Sequence, residues 1–111
     1  MIKAEIEKQV KQWQERLDIG DWSISIKLVD GTDVADDAYS TVHINNNQQE
    51  ATITLAEGRS DGQQIVSIVH ELVHVVLYPM WLLVKGSDNA QAYARAEEKA
   101  VRRLIDALCP E

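Results

Sequence analysis

The chain has 111 residues, 45% hydrophobic and 26% charged, and a formal net charge of −7 at pH 7. That length suits one compact domain spanning residues 1–111 around a single core, and leaves no room for a second domain of ordinary size. The acidic balance argues against nucleic acid as a partner and leaves a basic peptide substrate open.

Apolar residues at Ile2, Ile6, Val10, Trp13 and Leu17 recur at helical spacing, so residues 2–17 are predicted as an amphipathic helix that Gly20 ends. Trp22, Ile24, Ile26 and Leu28 then alternate with Ser23, Ser25 and Lys27, the period of a half-buried strand. Residues 30–38, rich in Asp, Gly and Thr, read as a loop leading to a second strand through Tyr39, Thr41, Val42 and Ile44. A turn over residues 45–48 and a third strand over 51–55 complete a hairpin, with Ile53 and Leu55 on one face and Thr52 and Thr54 on the other.

Residues 63–78 contain neither Gly nor Pro, and Ile65, Val66, Val69, Val73, Val76 and Leu77 give them helical periodicity. Pro79 is expected to stop this helix at about Tyr78. The apolar run over residues 79–84 reads as a loop packed on the core, with a pocket wall as the functional alternative. Residues 85–89 supply a turn and a helix cap. A last helix over 89–109 carries a stripe of Tyr93, Ala94, Val101, Leu104, Ile105 and Leu108, broken by Glu97 and Glu98. The predicted class is α+β: a helix, a three-stranded and mostly antiparallel sheet, then two helices.

The first of those C-terminal helices carries His70-Glu71-Leu72-Val73-His74, an H-E-x-x-H motif. Positions i and i+4 share a helix face, so His70 and His74 can both offer a ring nitrogen to one ion at about 2.0–2.1 Å. Glu71 lies about 100° around the helix from His70, off the ligand pair but near the water that such an ion activates. A catalytic zinc takes a third protein ligand. His43 is far upstream in a polar segment, so the third ligand is sought on the last helix, at Glu98 or Glu97.

These residues resemble the gluzincin metallopeptidases, above all the minimal single-domain versions of phages and prophages, which pair H-E-x-x-H with a glutamate on a following helix. The resemblance rests on HELVH, on residues 98–104 with Val101 and Leu104 placed three and six positions after Glu98, and on the strand-like segments before the motif. It implies a zincin-like fold and a zinc-dependent peptidase in which His70, His74 and Glu98 hold Zn²⁺ and Glu71 is the catalytic base. It also implies a peptide or protein substrate laid along an edge strand, for which the strand ending at Leu55 is the candidate. Larger members carry an aspartate one turn after the ligand glutamate to support a histidine. Arg102 stands there in this chain, leaving Asp88, Asn89 or a backbone carbonyl as possible supports. The alternative reading is a zinc-binding interaction or regulatory module of phage origin that does not turn over.

Tyr93, Tyr39 and His43 are the side chains that can be considered as oxyanion stabilisers. Cys109 is read as a bland helix-end cysteine rather than a latent ligand; as a lone cysteine it permits no internal disulfide and fits a reducing compartment. No stretch is expected to cross a membrane, and the first twelve residues lack the apolar core of a signal peptide, so a cytoplasmic protein is expected.

Overall fold

The structure is a computed structural model that describes residues 1–30 and 40–109. Its elements follow the expected order: α1 (Lys3–Arg16), β1 (Ser23–Val29), β2 (Ser40–Asn45), β3 (Glu50–Ala56), α2 (Asp61–Val84) and α3 (Ala90–Leu108). The protein is α+β, with α1 and α2 packed on the sheet and α3 packed on α2.

The sheet is mixed rather than mostly antiparallel, in the order β1-β3-β2. The expected hairpin pairs β2 antiparallel to β3, whereas β1 runs parallel to β3 with Ile26 opposite Ile53 and Leu28 opposite Leu55. The strand ending at Leu55 is therefore central, not an edge, and the edge strand on the α2 side is β2. Burial explains the order. Ala51, Ile53, Leu55 and Ala56 are all buried in β3, and such a strand belongs where both its edges are paired.

α1 does not end at Gly20. Asp18 takes the left-handed conformation at φ 59°, while Ile19 N–H donates to the Gln14 carbonyl at 2.9 Å and Asp18 N–H to that of Glu15 at 3.2 Å. This is the Schellman pattern, closed by burial of Ile19. Asp tolerates this backbone better than most non-glycine residues, because its short polar side chain can bond locally.

α2 is longer than its periodicity suggests. Ser60 and Gln63 form a capping box: Ser60 Oγ accepts from Gln63 N–H at 3.2 Å and the Gln63 side chain accepts from Ser60 N–H at 3.0 Å. At the other end the helix runs through Pro79 to Val84. Pro79 removes a helical donor, a loss of roughly 3 kcal/mol or more in a helix interior. The helix nonetheless continues, with Trp81 set beside Tyr93 of α3 at a ring-centroid distance of 6.3 Å. The segment expected to be a loop on the core is thus helical, with Leu83 85% exposed and Trp81 turned toward α3. Contrary to expectation, α2 is long and apolar enough by length and composition to cross a membrane. In this fold Ile68, Leu72 and Val75 bury one side of it in the core.

Residues 85–89 form the expected turn, which Ser87 ties together. Its Oγ donates to the Val84 carbonyl at 2.6 Å and accepts from Asn89 N–H at 3.2 Å, while the Asn89 side chain makes no capping bond. Only Val101 and Ile105 of the α3 stripe are buried; Leu104 and Leu108 are exposed, because α3 rests on a single partner, α2. A contrast of two α2 substitutions tests this account of the helix. In urea unfolding, Leu72→Ala is expected to cost about 2–5 kcal/mol. Ser60→Ala should cost only about 1 kcal/mol, the value of a lost cap.

Candidate metal centre

α2 presents His70, Glu71 and His74 within about one turn, and α3 crosses them in the opposite direction. His74 meets Glu97 and Glu98, while Trp81, seven residues on, meets Tyr93. Burial of Val101 and Ile105 against α2 sets this alignment. Glu98 and Glu97 lie three and four residues before Val101, on the same helix face, so packing Val101 swings both carboxylates toward α2.

The closest polar atoms converge. His70 Nε2 is 2.9 Å from Glu98 Oε1, His74 Nε2 is 3.2 Å from Glu98 Oε2, and the Nε2 atoms are 3.2 Å apart. Ligands held at about 2.0–2.1 Å on one face of a tetrahedron stand about 3.3 Å from each other. The two Nε2 atoms are at about that separation, and the Glu98 carboxylate faces each of them through a different oxygen. His70, Glu71 and His74 also form a group whose ligand atoms lie within 4.8 Å of one another. The geometry distinguishes the two glutamates: Glu98 touches both imidazoles, while Glu71 is held by a different partner.

The chemistry of the donor set matches the spacing. His74 Nδ1 lies 2.8 Å from Glu97 Oε2, and an ionised carboxylate only accepts, so in the neutral ring Nδ1 carries the proton and Nε2 turns its lone pair to the cluster. Lone pairs of Nε2 and negative oxygens then converge on one point, which calls for a cation or a shared proton there. These residues fit a metal ion with oxygen and nitrogen preference, Zn²⁺ among them.

Glu97 is thus the histidine support that Arg102 does not provide. Arg102 is exposed on α3, and Asp88 and Asn89 belong to the turn after α2. Tyr93 completes the chain, its hydroxyl donating to Glu97 Oε1 at 2.8 Å. Burial, with the hydrogen bond and charge of Glu97 adding to it, pushes the Tyr93 hydroxyl up from its ordinary value near 10 to about 12. That hydroxyl is committed to Glu97, which counts against the oxyanion role considered for it. His43 is exposed on β2 and does not line the cavity that holds the cluster. Tyr39 lies outside the described residues. Cys109 follows Glu98 by eleven residues, about 16 Å along a helix, too far to be a ligand.

Glu71 is 5% exposed, and a carboxylate removed from water needs a compensating donor. Ser40, the first residue of β2, supplies it: Oγ–H donates to Glu71 Oε2 at 2.6 Å. Sequence reasoning does not reach Ser40, since no motif or periodicity links it to a residue 31 positions later. The only available signal is general: a glutamate within an apolar helix must have a partner somewhere. An open cavity of about 520 Å³ runs past the cluster, with Ser40, Val42 and Ile44 on one side, Ala94, Glu97 and Glu98 on the other, and α2 as its floor.

The Tyr93 bond has a pH signature. A tyrosine whose folded-state pKa is raised contributes stability that is complete below its unfolded value near 10 and is lost as the pH climbs toward about 12. The difference in urea midpoint between the wild type and Tyr93→Phe should therefore move against the wild type as the pH rises between those two values. A gap that stays constant across the range would contradict the assignment.

Comparison of the chain with protein-family models, with curated proteins and with solved structures finds no match.

Proposed function

We propose that the protein is a small zinc-dependent peptidase of gluzincin type, with His70, His74 and Glu98 holding the ion and Glu71 acting as general base. The observation that carries this reading is the Glu98 carboxylate spanning both imidazole Nε2 atoms, with Glu71 beside them. When bound, zinc supplies a Lewis acid that polarises a peptide carbonyl and makes water acidic enough to attack at neutral pH.

Glu71 takes a proton from the attacking water as the new C–O bond forms, then gives it to the amide nitrogen as the C–N bond breaks. Ser40 orients the carboxylate through Oε2, which leaves Oε1 as the atom free to handle the proton. Glu97, steadied by Tyr93, keeps His74 in the tautomer that presents Nε2. Among the described residues β2 is the sheet edge beside the cluster, and an edge strand suits an extended peptide, recognised with little dependence on side chains. The substrate is accordingly a peptide or an unfolded protein segment.

Incubation of zinc-loaded protein with a panel of unstructured proteins tests the reading. Chelator-sensitive cleavage is expected, and Glu71→Gln should retain zinc while losing about 10²–10⁴-fold in rate. A Glu71→Gln protein that keeps zinc and cleaves as fast as the parent sinks the mechanism. Tight binding of partners without cleavage by the wild type would indicate a zinc-binding interaction module instead.

A further inference from the structure

The cavity that holds the cluster is chemically lopsided. His70, Glu71, His74 and Glu98 occupy one end, while the other is lined by Tyr78 and Trp81 of α2 and by Val42 and Ile44 of β2. These side chains are in register for a physical reason. Tyr78 follows His74 by four residues and so extends the same face of the helix, and Trp81 continues it by roughly another turn. On β2, Val42 and Ile44 share with Ser40 the face turned to α2, since alternate residues of a strand point the same way. β2 begins beside Glu71 and reaches Tyr78 further on, so it runs alongside α2 in the same direction.

We propose, building on the peptidase reading, that this apolar end is a specificity pocket for one bulky apolar or aromatic side chain of an extended peptide lying along β2. The pocket disfavours an acidic side chain, because Tyr78, Trp81, Val42 and Ile44 offer no cation and the opposite wall carries Glu97 and Glu98. The opposite wall is low. Ala94 lies on the cavity and is exposed, which leaves space where a larger α3 residue would fill it. Trp81 has Tyr93 beside it, ring centroids 6.3 Å apart, so one side of the ring is backed by α3.

The spacing also places the pocket relative to the cluster. From Glu71 to Tyr78 is seven residues, about 10 Å of helix rise. An extended peptide covers that distance with about three residues. The selected side chain therefore lies about three positions from the bond at the cluster, and truncation of a substrate to a dipeptide removes it.

Direct binding tests the pocket independently of turnover. Fluorescently labelled decapeptides of Gly, Ser and Thr carrying one central Phe, Leu, Ala or Asp are titrated with the wild-type protein by anisotropy, and the same mixtures are later assayed for cleavage by mass spectrometry. The Phe and Leu peptides should bind at least about tenfold more tightly than the Ala and Asp peptides, the scale of discrimination by an apolar pocket. Trp81→Ala should level the series. Ala94→Phe, at an exposed position that leaves the core intact, should fill the pocket and reduce Phe-peptide binding to that of the Ala peptide. Equal binding of all peptides by the wild type, or a preference that survives Ala94→Phe, overturns the proposal. Preferential binding without cleavage overturns the peptidase reading and leaves the pocket standing; cleavage without preference does the reverse.

Discussion

The contact of α3 with α2 is the constraint on which the site depends. His70 and His74 are placed by their own helix, but two imidazoles make an open and weak site; the third donor comes only if α3 lies antiparallel across them at the right height. Val101 and Ile105 provide that alignment through burial, and Glu98 and Glu97 reach the cluster because they share a helix face with Val101. A small apolar seam thus positions a polar site. The Trp81–Tyr93 pair lies at the opposite end of the same seam, so the two helices meet on both sides of the cluster.

The sheet contributes through a single polar contact. α2 spends most of its surface on apolar packing, and Glu71 is nearly removed from water. Ser40 compensates that carboxylate and, in doing so, ties the start of β2 to the helix. The edge strand, Glu71 and the cleft are therefore linked: the residue that orients Glu71 also begins the strand along which the proposed substrate would lie. The consequence of β3 taking the sheet centre is that β2, the less buried strand, forms this edge among the described residues.

His70, His74 and Glu71 are legible in the sequence because the motif and its helix are local: four residues and one period of 3.6 decide which side chains share a face. Glu98 is legible too, but with Glu97 beside it the choice depends on the rotation of α3, which the buried Val101 sets and periodicity alone does not. The two glutamates turn out to divide the work rather than compete, one facing both Nε2 atoms and the other facing Nδ1 of His74. The support missing at Arg102 is supplied one residue before Glu98, a position that a comparison with the larger gluzincins does not consult. Pro79 misleads because the helix runs through it to Val84, with Trp81 set beside Tyr93 of α3. The parallel pairing of β1 is not written in any local pattern, since alternation in residues 22–28 is the same for either direction.

The claim at the centre of this account is that His70, His74 and Glu98 form a metal site and that Glu97 acts on it only through His74. Calorimetric titration of zinc into untagged protein tests it directly. The wild type is expected to bind one zinc per chain, Glu97→Ala to bind it about 10–100-fold more weakly, and Glu98→Ala to lose more than that. A wild-type protein without stoichiometric zinc binding, or a Glu98→Ala protein that binds zinc as tightly as the parent, contradicts the account.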